Sequence, residues 1–324
     1  MLNVALIGIG NIGLLFDDDI KNRSKALSHI KAIYLNKKLN LKYAVDIDNT
    51  HKKKVQKFFP NIIFLNDYTK LVKNTDIDIL TIATPTSTHY DILKSFSENK
   101  IIKQFFVEKP LFLTKKEYKS IPKKITSKIT VNYLRRFDKT IQKLKKNIST
   151  QNNIEKIIIN YCKGLKNNGS HMIDMINFLF NNPKLLSSKI LSSSIGFDKN
   201  DLSYDIYINI EYKNKIIPIY LIAHNHTKYN LIEFNIYTDK EFIKYDNAKG
   251  TIEYYNIIKH PIFPTYKIFN SSIIKSEKNQ GEMSIYKAYN YIIKRIKKKT
   301  EVDISSFNDE YSNIKFIYKL LGNK

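Results

Sequence analysis

Cysteine occurs once in this chain of 324 residues, at Cys162. No intrachain disulfide can form, and no set of cysteine ligands for zinc exists. Tryptophan is absent, and glycine and proline number only 9 and 8; with glycine so scarce, the places where it clusters stand out. No apolar run approaches the roughly 20 residues of a membrane span. The chain reads straight into a strand pattern, with no basic leader region and no cleavage site. A soluble cytoplasmic protein without a membrane partner is expected. Acidic residues are also few, 30 against 54 basic ones, for a net charge of +24. The lysines are scattered, and the longest runs (Lys52–Lys54 and Lys297–Lys299) are short and not interleaved with aromatics, so a nucleic-acid partner is not expected. Abundant Lys, Asn and Ile beside rare Arg fit an AT-rich coding sequence. A positive field still favours encounter with an anionic ligand.

The length suits two domains. The first part alternates strands and helices. Strands are predicted at Val4–Ile7, Leu41–Val45, Ile62–Phe64, Ile77–Ala83, Phe105–Val107 and Ile129–Val131, with helices such as Ser87–Glu98 between them. That order predicts a parallel sheet covered on both faces. From about residue 150 the pattern changes. Ile154–Tyr161, Tyr204–Tyr212, Lys215–Ala223, Leu231–Thr238 and Glu241–Tyr245 read as strands joined by polar turns, which predicts a mostly antiparallel sheet. Helices return at Met283–Lys298 and Asp309–Leu321. The expected fold is α/β: an N-terminal doubly wound parallel sheet over residues 1–122, then an α+β domain with a large, mostly antiparallel open sheet over 123–282. The C-terminal helices, 283–324, are expected to pack back near the first domain.

Gly8-Ile9-Gly10-Asn11-Ile12-Gly13 follows the first strand and is expected to open a helix. A GxGxxG loop in that setting binds a dinucleotide. Its first glycine makes the turn, its second lets the backbone approach the pyrophosphate, and its third lets helix pack on strand. Helix-start N–H groups then face the phosphates. Asp46, at the end of the second strand, suits the adenosine ribose hydroxyls and repels a 2′-phosphate, which favours NAD(H) over NADP(H). Its distance from Gly13 exceeds the usual roughly 20 residues, and the excess is assigned to an insert from Asp17, Asp18 and Asp19 through Arg23. Asp48 competes for the ribose role. The three aspartates themselves read as a solvated acidic loop, with no metal site.

Thr84 and Pro85 close the fourth strand, where open α/β sheets bind ligands. His89, just beyond, is a candidate both for a cofactor contact and for a brace of the next helix. Glu108-Lys109-Pro110 closes the fifth strand. A lysine there is placed to hydrogen-bond a reacting hydroxyl and pass a proton, while Glu108 either pairs with it or holds a ribose. His171 opens the helix after Asn167-Asn168-Gly169 and can take a hydroxyl proton near neutral pH. Asp174, one turn on, is a candidate for orienting that imidazole or binding substrate. Lys163 and Tyr133 are further candidate substrate contacts. Arg135 and Arg136 are candidates either for lining the cleft or for bracing the domains against each other. Cys162 reads as a small buried side chain.

In this order the segments Gly8–Gly13, Asp46, Ala83-Thr84-Pro85 with His89, Glu108-Lys109-Pro110, Asn132–Phe137 and Gly169-Ser170-His171 with Asp174 resemble the Gfo/Idh/MocA family (glucose–fructose oxidoreductase, inositol dehydrogenase and rhizopine catabolism). The resemblance covers essentially the whole chain. It implies a Rossmann domain followed by an α/β domain whose open sheet mediates a homodimer or homotetramer. It also implies Lys109 and His171 as the catalytic pair. The cofactor contacts are then Gly8, Gly10, Asn11, Ile12, Gly13, Asp46, Thr84, Pro85, His89, Glu108 and Lys109. Substrate would meet Lys109, Tyr133, Lys163, Asn167, Asn168, His171 and Asp174. Many members carry Asp where this chain has Asn167, and an amide cannot act as a base. The Lys163–His171 run looks like the variant found in members associated with surface-polysaccharide sugars. The expected activity is hydride transfer between nicotinamide and a carbinol or keto carbon of a sugar or nucleotide-activated sugar. Two alternatives are a lyase or hydrolase using tightly held NAD for a transient oxidation, and a non-catalytic dinucleotide-binding sensor.

Overall fold

A computed structural model describes residues 1–17, 25–73, 75–151, 153–270, 272–278, 283–298 and 303–322. The chain forms two compact units. Residues 1–137 and 281–311 make the first, and 138–280 with 312–324 the second.

The first unit is built on six strands: β1 (Leu2–Ile7), β2 (Leu39–Val45), β3 (Ile63–Leu65), β4 (Ile79–Ile82), β5 (Gln104–Val107) and β6 (Ile129–Val131). Their spatial order is β3-β2-β1-β4-β5-β6, and all pair in parallel. The predicted strand bounds agree with these to within two residues. Short apolar runs such as Ile79–Ile82 and Gln104–Val107 are buried throughout, as a sheet covered on both faces requires. The crossovers carry α1 (His29–Tyr34), α2 (His51–Gln56), α3 (His89–Ser95), α4 (Lys115–Ser120) and α5 (Lys123–Thr126). Because β6 pairs with β5, this unit runs on to Phe137 instead of ending at residue 122.

The second unit opens with α6 (Lys139–Thr150), then β7 (Ile154–Cys162) and α7 (Ser170–Leu179). The strands β8 (Lys184–Asp198), β9 (Asp201–Tyr212), β10 (Lys215–His224), β11 (Glu233–Thr238), β12 (Glu241–Asp246), β13 (Thr251–Lys259), β14 (Lys267–Phe269) and β15 (Lys275–Lys278) follow. They join β7 in a nine-stranded sheet ordered β14-β13-β12-β11-β7-β10-β9-β8, with β15 beside β13. Only β7 and β10 pair in parallel; every other pairing is antiparallel. Alternate residues such as Ile157, Ile159, Ile208, Ile219 and Leu221 are buried beneath α6 and α7, the period-two pattern of a sheet with one covered face.

The C-terminal helices α8 (Ser284–Ile296) and α9 (Phe307–Leu320) divide between the units. In the first unit, Ile285, Ala288, Tyr289 and Ile292 of α8 join the core formed by Val4, Leu6 and Phe106. In the second, Phe316, Ile317 and Leu320 of α9 join the core around α7. The C-terminal segment is therefore not one element appended to the first domain. Among the described residues no helix is long and apolar enough to cross a membrane.

Candidate active site

The glycine loop owes its shape to three different constraints. Gly8 has φ +95°, and a Cβ there would lie 2.6 Å from the carbonyl carbon of Ala83. At Gly13 a Cβ would lie 2.3 Å from the Gly8 carbonyl oxygen. At Gly10 it would meet nothing within 4 Å, so this glycine faces open space. The N–H groups of Gly10, Asn11, Ile12 and Gly13 have no acceptor among the described residues. Four donors beside an open surface make a cradle for an anion, and the residues present fit a dinucleotide pyrophosphate.

No regular helix follows the loop directly, contrary to the sequence expectation. A turn and a short 3-10 segment, Leu15–Asp17, come first. Yet the α1 residues His29 and Ile30 donate their N–H groups to the carbonyls of Ile12 and Gly13. In an unbroken helix those carbonyls would be taken by residues four further on. The helix has been opened and about a dozen residues inserted. Without them the Gly13-to-Asp46 spacing falls to the usual roughly 20 residues. Asp17 is not part of a solvated acidic loop. It is 4% exposed, and its Oδ2 accepts from the N–H groups of Leu27 and Ser28 and from the Ser28 hydroxyl. It braces Ser28, the N-cap of α1. Asp18, Asp19 and the insert through Arg23 lie outside the described residues.

Asp46 follows β2 directly. Its Oδ2 accepts from the N–H of Ile9 at 2.6 Å, and its Oδ1 from the N–H of Asp48 at 2.9 Å. The carboxylate is thus fastened to the glycine loop. Asp48 is more exposed and accepts from the N–H of Thr50 at 2.8 Å.

Thr84 and Pro85 stand at the C-terminal end of β4, with the Thr84 hydroxyl 2.6 Å from that of Thr88. His89 has no exposed surface. Its Nε2 lies 2.9 Å from the Thr84 carbonyl and its Nδ1 3.1 Å from that of Leu111. Burial, opposed by these backbone contacts, holds its pKa below the ordinary imidazole value. His89 therefore ties two strand-end turns together and offers no atom to a cofactor.

Glu108 ends β5 and is the focus of a network that sequence reading missed. Its Oε1 accepts from Asn132 Nδ2 at 2.5 Å and contacts His29 Nε2 at 2.9 Å. His29 Nδ1 lies 3.1 Å from the Tyr289 hydroxyl, which lies 2.9 Å from that of Thr81. Burial raises the Glu108 pKa, but His29, Asn132 and Lys109 outweigh it and hold the carboxyl below its usual range. An ionised Glu108 only accepts, so His29 Nε2 donates to it. Where the imidazole is neutral, its Nδ1 accepts from Tyr289, which accepts in turn from Thr81. No signal at His29 was legible because the insert displaces it from the glycine loop. Lys109 follows, half-buried, and Glu310 accepts from the N–H of Leu111 at 3.0 Å.

Tyr133, expected to touch substrate, is 1% exposed and belongs to the core. Arg136 is also buried. It pairs with Asp309 at 2.9 Å and donates to the Ile304 carbonyl, so it braces the first unit internally.

In the second unit the turn Gly164–Gly169 is a short π-helical segment leading into α7. Lys163 enters it in the left-handed region, φ 64°. Asp201, on β9, shapes it. Its two carboxylate oxygens accept from the N–H groups of Lys166 and Asn167, each at 2.8 Å. At Gly164, φ +78°, a Cβ would lie 2.2 Å from Asp201 Oδ2. Nothing local in the sequence marks Asp201, because its partners lie more than thirty residues away. Asn167, Asn168 and His171 are partly exposed around this turn. Asp174 is 1% exposed, and its Oδ1 accepts from Asn313 Nδ2 at 2.7 Å. It fastens α7 to α9 and has no surface for a substrate hydroxyl. Cys162 is buried, as expected.

Residues 2–131 match a family described as an oxidoreductase family with an NAD-binding Rossmann fold, GFO_IDH_MocA. A curated relative, the scyllo-inositol 2-dehydrogenase (NAD(+)) of Bacillus subtilis, is 38% identical over 82 residues, which span 24% of this chain and 23% of the relative's own length. Among solved structures, a myo-inositol dehydrogenase from Corynebacterium glutamicum superposes with a TM-score of 0.71 at 19% identity, covering 99% of this chain and 96% of its own. The UDP-N-acetylglucosamine 3-dehydrogenase GnnA from Acidithiobacillus ferrooxidans gives 0.69 at 11% identity, covering 98% and 96%. At these identities the two structures establish the fold.

Proposed function

We propose that the chain is an NAD-dependent oxidoreductase of the Gfo/Idh/MocA kind, the family whose model matches residues 2–131. Its substrate would be a sugar, a sugar-like polyol or a nucleotide-activated sugar. The observation that carries this reading is the open cradle of N–H groups at Gly10–Gly13 with the Asp46 carboxylate fastened beside it. The cradle suits a pyrophosphate and the carboxylate suits an unphosphorylated ribose, which favours NAD(H) over NADP(H). Thr84, Pro85 and Glu108, at the C-terminal strand ends of the same sheet, would line the rest of the cofactor. The dinucleotide, when bound, supplies the hydride acceptor or donor.

In the oxidation direction His171 takes the hydroxyl proton while Lys109 steadies the charge on the oxygen. Glu108, kept ionised by His29 and Asn132, sets the electrostatic surroundings of Lys109. Lys163, Asn167 and Asn168 hydrogen-bond the substrate from the turn that Asp201 shapes. With an amide at Asn167, the proton leaves through His171. The relatives named above act on an inositol or a nucleotide sugar, and the Lys163–His171 run supports a role in making sugars for surface polysaccharides. The protein would act in the cytoplasm as a homodimer or homotetramer formed through the second unit's sheet.

The test is a fluorescence titration of purified protein with NADH and NADPH, followed by turnover assays on polyols and nucleotide sugars. Lys109→Ala is expected to lower kcat by at least about 100-fold, the scale of acid–base contributions, with NADH affinity within about two-fold of wild type. Loss of NADH affinity in that variant would move Lys109 out of its assigned role. Failure of the wild-type protein to bind either dinucleotide would overturn the reading.

A further inference from the structure

His51 opens α2 beside the carboxylate assigned to the ribose. Its ring stands between two acids. Nδ1 is 3.5 Å from Asp46 Oδ2, and Nε2 is 3.8 Å from Asp48 Oδ2. Nδ1 is buried and makes no hydrogen bond. A neutral imidazole has one N–H and one lone pair, so either tautomer turns a lone pair toward a carboxylate oxygen. Only the imidazolium presents a hydrogen to both. The side chains of His51 and Asp46 are 15% and 12% exposed, enough shelter for the charge on one to be felt by the other.

Among the described residues, backbone N–H groups and one lysine also face the cluster. The N–H groups of Ile9 and Asp48 donate to Asp46, and that of Thr50 donates to Asp48. Lys54, from the same helix as His51, acts on Asp48 at longer range. Asp48 is held below the usual carboxylate range, first by Thr50 and, more weakly, by His51 and Lys54. With its carboxylates ionised, the cluster of Asp46, Asp48 and His51 carries two net negative charges when the ring is neutral and one when it is protonated.

We infer that His51 is a specificity-determining residue: a proton-dependent counter-charge on the two carboxylates at the adenosine ribose, which makes the preference for NAD(H) over NADP(H) narrow as pH falls. This rests on the proposed reading of Asp46 as the ribose-facing acid. With the ring neutral, a 2′-phosphate meets two uncompensated carboxylates. With the ring charged, half of that repulsion is cancelled. NADH, which lacks the 2′-phosphate, gains little from the same proton.

The experiment is direct binding of NADPH and NADH to the full chain from about pH 8 to about pH 5.5, a window that brackets the imidazole range. Wild type, His51→Gln and His51→Arg are compared. The 2′-phosphate itself takes up a proton near pH 6, and this affects all three proteins alike, so the quantity read is the difference between them. In wild type the NADPH:NADH ratio of Kd values is expected to fall about 3- to 10-fold more than in His51→Gln over this window, the effect of one unit charge at partly screened range. In His51→Arg the ratio should be low throughout, without that excess. NADH affinity at the upper end of the window reports that the variants are folded. Parallel profiles for wild type and His51→Gln, with NADH bound normally, would overturn this inference and leave the proposed function standing. Failure of wild type to bind either dinucleotide would overturn both.

Discussion

Glu108 illustrates how one side chain's chemistry is set by residues far away in sequence. Its partners come from α1, from the segment after β6 and, through His29, from α8. Its folded-state pKa is lowered, so the interaction contributes stability that is fully present above the ordinary glutamate value of 4.5 and is lost as pH falls through the folded value. Thermal melts of wild type and Glu108→Gln should therefore differ at neutral pH by about 1–3 kcal/mol, the usual scale for losing a charged hydrogen bond. The difference should shrink progressively below about pH 4.5. A difference that stays constant with pH would mean that the ionised form is not the one being stabilised. Neither His29 nor Asn132 was legible as a partner of Glu108. Each lies on another segment, and nothing in a one-dimensional pattern records which carboxylate a buried histidine will meet. The position of Lys109 just beyond the end of a buried strand was legible, because Phe105–Val107 is an apolar run closed by Glu108-Lys109-Pro110.

Among the elements, the glycine loop offers a way to separate folding from the proposed dinucleotide binding. At Gly13 a Cβ collides with backbone, whereas at Gly10 it projects into open space. Gly13→Ala is expected to lower the melting temperature markedly, since backbone must shift to admit the methyl group. Gly10→Ala should leave the melting temperature within about 2 °C of wild type, as surface changes usually do. It should nonetheless weaken NADH binding at least about ten-fold, because the methyl group occupies the ligand's approach to the N–H cradle. Equal thermal shifts in the two variants would contradict the assignment. Elements were legible where periodicity was strong. β4 and β5 are uninterrupted apolar runs, and β9 and β10 alternate cleanly. β8 escaped definition because serines fill its sequence, LLSSKILSSSIG, and blur the alternation. The lysine-rich α6 also went unassigned, although Ile141, Leu144 and Ile148 mark its buried face.

At the scale of the molecule, the antiparallel sheet has one face buried under helices and an edge that is not. On β8, an edge strand of that sheet, Leu191 and Ile195 are 57% and 75% exposed. Edge strands with apolar side chains invite pairing. For the proposed assembly through this sheet, Ile195→Lys combined with Leu191→Asp is expected to shift the protein toward smaller species in sedimentation at unchanged NADH affinity, and an unaltered sedimentation coefficient would remove this edge from that proposal. The architecture was legible as two differently built halves, because alternation of helix with strand and succession of strands leave different traces in sequence. The division of the C-terminus was not. Residues 281–311 and 312–324 are assigned to different units by which core their apolar side chains enter, and a helical period does not say which core that is.

The opened helix after the glycine loop has a consequence for how such chains are found and compared. His29 and Ile30 bond to Ile12 and Gly13 as though nothing lay between them. The chain is thus continuous in hydrogen-bond register where it is discontinuous in residue count. A pattern search that fixes a gap of roughly 20 residues between the last glycine and the acid after the second strand passes over this protein. An alignment that closes the gap at Gly13 and reopens it at His29 restores both the acid and the histidine to their places. Distance along this helix is better measured in turns that touch than in letters that intervene.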